Sequence, residues 1–241
     1  MKKIIALVMA LTLVLAFAGC GAEDNTKKSE GVMTYAEYDA AAVDDAVVIE
    51  TFVQNKQSWW DNKATLYTAD PEGAYFIYNM TCSEEDYAKL TPGTKIKVTG
   101  YKAEWAGEKE IAEGATFEIE SGNYIAPALD VTANLADEAF LLAHQNQFAS
   151  FKGMTVEESN EGGDPFMYNW DGSGSQGDDL YFTVSADGKT YTFTVESYLC
   201  DKDSEVYKTV EGLKVGDVVD MEGFLYWYEG LNPHITSVVV K

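Results

Sequence analysis

The chain has 241 residues, 40 of them acidic against 17 basic, for a net charge of −23 at neutral pH. Every basic residue is Lys, so the Arg fork that best grips phosphate is missing and nucleic acid is not expected as a partner. Three Cys are too few for a disulfide-stapled scaffold.

The N-terminus reads MKK, then an apolar run from Ile4 to Ala18, then FAGCGAED. A basic start, a short apolar run and small residues before a break mark residues 1–19 as a secretory signal. The run falls short of the roughly 20 residues that a spanning helix needs. The small residues before Cys20 resemble the bacterial lipobox, although Phe17 stands where that motif usually has Leu. The resemblance implies lipidation of Cys20, the membrane as a partner through that lipid, and a place on the extracytoplasmic face of the cell membrane. Residues 20–32 are small and charged, as in a flexible tether.

From there the same unit occurs twice, predicted over residues 33–122 and 123–241. Each opens with a short helical stretch, TYAEYDAAA in the first and LADEAFLLAHQ in the second. In the first unit AVVIETFV reads as a strand, and KATLYTAD with AYFIYNM as a hairpin around ADPEG. SEEDYAKL reads as a short helix capped by Ser83, TKIKVTGY as the fourth strand and ATFEIES as the fifth. The second unit repeats the order with FASFKGMTV, a hairpin around Asp187-Gly188, a helix near 201–211, DVVDMEGFL and HITSVVV. This alignment sets Cys82 against Cys200, so the two read as small hydrophobes rather than a disulfide.

Three strands, a helix and two strands make the order of the OB-fold, a five-stranded, partly open Greek-key barrel. The fold class expected is all-β with short helices, as two tandem OB barrels. On ATLYTADPEGAYFIYN and TPGTKIKVTGYK, the chain resembles tandem OB-fold lipoproteins of bacterial cell surfaces. Each unit is similar to bacterial OB domains of the nucleic-acid-binding type. The resemblance implies a ligand face over the second and third strands, flanked by the loops joining strands one to two and four to five.

All five Trp fall in or beside those loops. Trp59 and Trp60 lie in the first one-two loop, Trp105 in the first four-five loop, Trp170 in the second one-two loop and Trp227 in the second four-five loop, between Tyr226 and Tyr228. These rings, with His234 at the head of the last strand as a hydrogen-bond donor, are the candidate ligand contacts. Trp105 and Trp227, next to the fourth strands, are expected to pack more deeply than Trp59 and Trp60. The rings serve either as stacking platforms for a glycan or peptide, or as packing between the domains. Neither His has a second His or Cys at zinc spacing, and no nucleophile elbow or phosphate loop occurs. No cofactor, metal site or catalytic residue is assigned, and a non-enzymatic binding module is expected. A nucleic-acid-binding OB protein, or a structural lipoprotein, is the alternative.

Overall fold

The computed structural model describes residues 27–241, so Cys20 and the signal of residues 1–19 lie outside the described residues. Two closed five-stranded barrels follow one another, with a few short helices.

In the first, helix α1 (Tyr35–Ala40) is opened by a capping box between Thr34 and Glu37. Strands β1 (Ala46–Lys56), β2 (Lys63–Ala69) and β3 (Ala74–Thr81) form a meander. Helix α2 (Glu84–Lys89) begins where the Ser83 hydroxyl accepts from the Asp86 N–H. Strand β4 (Thr94–Trp105) pairs antiparallel with β1, and β5 (Glu108–Ile111) runs parallel to β3 and antiparallel to β4, which closes the barrel. The chain then breaks at Gly114, φ +87°, and β6 (Thr116–Asn123) continues along the N-terminal half of β4. The fifth strand expected from ATFEIES is therefore two strands. Its missed half, EKEI, has three charged residues in succession because Glu108 and Glu110 face the second barrel rather than the core, and such a run reads as a loop.

The second barrel repeats the plan. Strand β7 (Leu129–Asp130) lies beside the later β8, and helix α3 (Glu138–Ala143) precedes it, with His144 as its C-cap. Strands β8 (Phe148–Val156), β9 (Phe166–Tyr168), β10 (Leu180–Ala186) and β11 (Lys189–Val195) are followed by helix α4 (Glu205–Glu211), capped by Ser204. Strands β12 (Val218–Phe224) and β13 (His234–Val240) close it, β13 antiparallel to β12 and parallel to β11. The β10–β11 turn puts Asp187 and Gly188 at φ 51° and 77°, as a two-residue hairpin requires. Strand β9 is additional to the repeat and pairs with β10.

Each barrel has its own core, built on Val47, Ile49, Leu66, Tyr75 and Ile77 in the first and on Phe151, Leu180, Phe182, Phe193 and Ile235 in the second. Cys82 is buried in the first core and Cys200 packs against the second, both as free thiols. Burial pushes their pKa values up to about 11 and about 12, which leaves them protonated and unreactive at neutral pH.

Candidate ligand site at the junction of the barrels

The sites follow from which side of each strand faces the core. In β2 and β3, Leu66, Tyr75 and Ile77 point inward, so Tyr67, Phe76 and Tyr78 point outward, onto the face over which OB domains take their ligands. Most of this face is covered by the second barrel. Phe224, at the end of β12, stacks on Tyr67 with centroids 4.4 Å apart, and Phe148 packs on Phe224 at 5.3 Å. Tyr226 meets Phe76 edge-on at 5.3 Å and stacks on His234 at 4.1 Å.

Polar bonds fix this contact. The turn Trp105–Glu108, between β4 and β5, reaches into the second barrel, where the Glu229 N–H donates to the Ala106 carbonyl at 2.8 Å. The Glu108 carboxylate accepts from Asn146 Nδ2 at 2.6 Å and from the Trp227 N–H at 2.9 Å. Gln145 Nε2 donates to the Gly107 carbonyl at 2.8 Å. On the other side the Ser58 N–H donates to the Tyr198 carbonyl at 2.7 Å.

A cavity of about 350 Å³ remains beside the covered part. Its floor is Phe76 and Tyr78 of β3, its sides are Gln57, Trp105 and Glu110, and its roof is Tyr226 and His234 of the second barrel. Most of this lining is apolar, as in typical small-ligand sites. Burial holds the His234 pKa down at about 3, so its ring is neutral. The Tyr67 hydroxyl lies 2.5 Å from His234 Nδ1, within hydrogen-bond distance. Burial raises Glu110 to about 7 and Glu196, just behind the cavity, to about 7. Glu108 is raised well above the carboxylate range by desolvation, which its two hydrogen bonds only partly offset.

Of the residues expected from the sequence, the structure brings Trp105, Tyr226 and His234 together at this cavity. Trp105 is 61 % exposed rather than packed against β4, because the tight turn that follows points its ring out of the barrel. Trp227 is only 8 % exposed, packs in the second core and lies away from this cavity, its remaining surface lining a separate pocket of the second barrel with Tyr191 and Leu231. Trp59 is half-buried, its indole N–H donating to the Cys82 carbonyl at 2.9 Å. Trp60 is exposed, with Lys63 Nζ 4.9 Å from its ring centre. Tyr228 is exposed beyond the roof, and Trp170, 74 % exposed, stands on a separate loop of the second barrel. Gln57, Phe76, Tyr78 and Glu110 are the residues that sequence reasoning missed. A signal was present for Phe76 and Tyr78: in AYFIYNM both registers of the strand are aromatic, which a strand with one solvent face does not require.

No protein-family model and no curated protein matches the sequence. Among solved structures the chain is similar to the p204 HINb domain, at 9 % identity over 83 % of this chain and 100 % of that one, TM-score 0.37. It is also similar to the Ifi202 HINa domain in complex with double-stranded DNA, at 12 % identity over 82 % and 98 %, TM-score 0.35. A third is a replication protein A heterotrimer bound to single-stranded DNA, at 11 % identity over 84 % of this chain and 51 % of that one, TM-score 0.36. The exclusion of nucleic acid drawn from charge is corrected by these structures, two of which are complexes with DNA. Net charge sums the whole surface, whereas contact with bases rests on local ring faces and a local groove. The likeness is one of architecture; it removes the exclusion and carries no ligand across to this chain.

Proposed function

We propose that this chain is a non-enzymatic binding protein, held on the extracytoplasmic face of the membrane through Cys20, whose glycan or peptide ligand enters the cavity between the barrels. The observation that carries the reading is the cavity itself: it lies on the ligand face of an OB barrel, is walled by Phe76, Tyr78, Trp105 and Tyr226, and is completed by a second barrel bonded in place. Flat apolar rings at the mouth and floor suit the faces of sugar rings and the side chains of peptides.

Single-stranded nucleic acid is the second reading. It is favoured by the exposed faces of Trp60 and Trp105, which stand on the two loops that flank the OB face and offer stacking surfaces to bases.

The test is a binding panel of glycans, peptides and homopolymeric oligonucleotides, run on residues 20–241 with Cys20→Ser and on the Trp105→Ala and Tyr78→Ala variants. Binding of a glycan or peptide that both variants weaken supports the first reading. Oligonucleotide binding whose logarithm falls linearly with that of the salt concentration supports the second. Binding that neither variant weakens places the site elsewhere and overturns both.

A further inference from the structure

We infer that the chemical group seated in the cavity between the barrels is an alkylammonium cation. The inference rests on the proposed binding function and specifies its ligand. Glu110 is 9 % exposed, on the cavity wall, and among the described residues no protein donor bonds to its carboxylate. Around it stand the rings of Tyr78, Trp105 and Tyr226, and no lysine lines the space. Elsewhere in the molecule a deeply buried carboxylate has a partner: Asp70 has Lys28 and the Tyr75 hydroxyl, and Glu108 has Asn146 and a backbone N–H. Glu110 differs in facing an open cavity.

The electrostatics of the lining have one sign. Burial raises the Tyr226 pKa first, and Glu108, Glu110 and Glu196 all lie close enough to raise it further. An unpartnered Glu196 oxygen, Oε2, is buried behind them. The nearest basic ring, His234, is neutral. A ligand without a donor would further desolvate Glu110 without compensating it, a neutral hydroxyl or amide would compensate it less than a charged donor does, and an anion would be repelled by its ionised form. An ammonium compensates the carboxylate and lies against ring faces whose quadrupoles attract cations. The cavity volume of about 350 Å³ accommodates such a group with part of its carrier.

The test uses residues 20–241 with Cys20→Ser and three small probes followed by proton NMR: choline, n-butylammonium and 3,3-dimethylbutan-1-ol, the uncharged counterpart of choline in shape. The methyl signals of choline are expected to move upfield through the ring currents, with affinity about tenfold or more above that of the alcohol. Glu110→Gln should abolish the preference for charge, and Trp105→Ala, an exposed position, should weaken all probes that bind. Choline against n-butylammonium then tells a methylated from a primary ammonium. Equal binding of the alcohol, or a preference that survives Glu110→Gln, would overturn the cation and leave the ring-lined site standing. Absence of binding by every probe, with glycan or peptide binding in the panel, would overturn the inference alone.

Discussion

At the scale of single residues, two tryptophans in equivalent four-five loops have opposite duties. Trp227 fills part of the second core and donates its backbone N–H to Glu108, whereas Trp105 projects from the turn that Glu108 ends. Truncating a buried Trp costs about 3–5 kcal/mol, while a surface change stays within roughly ±0.5 kcal/mol. Denaturant melts should therefore show a large loss for Trp227→Ala and almost none for Trp105→Ala; equal losses would contradict the assignment. The sequence does not separate these two residues, because each comes within a few residues of the Gly-aromatic pair of its fourth strand and only the tertiary contact decides which ring is enclosed. The place of His234 beside the aromatic loop was legible, and it lines the cavity. Its neutrality was not, since that comes from burial against the first barrel's face, which is distant in sequence.

At the scale of elements, the turn between β4 and β5 connects the two barrels. It places Ala106 and Gly107 at φ 51° and 90°, and a Cβ on Gly107 would come within 2.8 Å of the Trp227 ring. Gly107→Ala combines this clash with left-handed backbone strain of about 1–3 kcal/mol. It is expected to lower the melting temperature and to speed proteolysis near residues 105–110; a variant as stable and as resistant as the parent would show that the turn is not a fixed dock. Elements that depend on local chemistry were legible: the Ser83 cap and the Asp187-Gly188 turn lie where their residue types place them, whereas the second helix, read from about 201, begins at Glu205 behind Ser204. The split of the first barrel's last strand was not, because it is set by which neighbour, β3 or β4, the chain can reach as the barrel closes.

At the scale of the whole molecule, the junction raises the proton affinity of its carboxylates, so that Glu110 is about half ionised at neutral pH and a cation beside it would draw it to the charged form. Glu110 and Glu196 titrate at about 7 in the fold against 4.5 ordinarily, and Glu108 is raised further. Their contribution to stability is full below the ordinary value and is lost as pH rises through the folded one. His234 has the opposite sign: lowered from 6.5 to about 3, it contributes fully above 6.5 and loses that contribution as pH falls through about 3. Three carboxylates outnumber one imidazole, so melting temperature should decline from about pH 5 to about pH 8, and Glu196→Gln should flatten the decline. A profile that rises over this range would mean that these groups are charged in the fold. The two-barrel plan was legible because the repeat is written twice in the strand order; the way one barrel covers the other was not, because Tyr67, Phe76 and Phe224 read as ordinary strand residues. That covering makes the two units depend on each other. On the second barrel the outward side of the β10–β11 hairpin carries Tyr181, Thr183, Ser185 and Thr192, beside inward Phe182, Val184 and Phe193. On the first barrel the outward Tyr67 and Phe76 are sealed by Phe224 of the second. Cutting the chain between the barrels would therefore wet an apolar patch on each of them, and either half alone should be stickier than the whole.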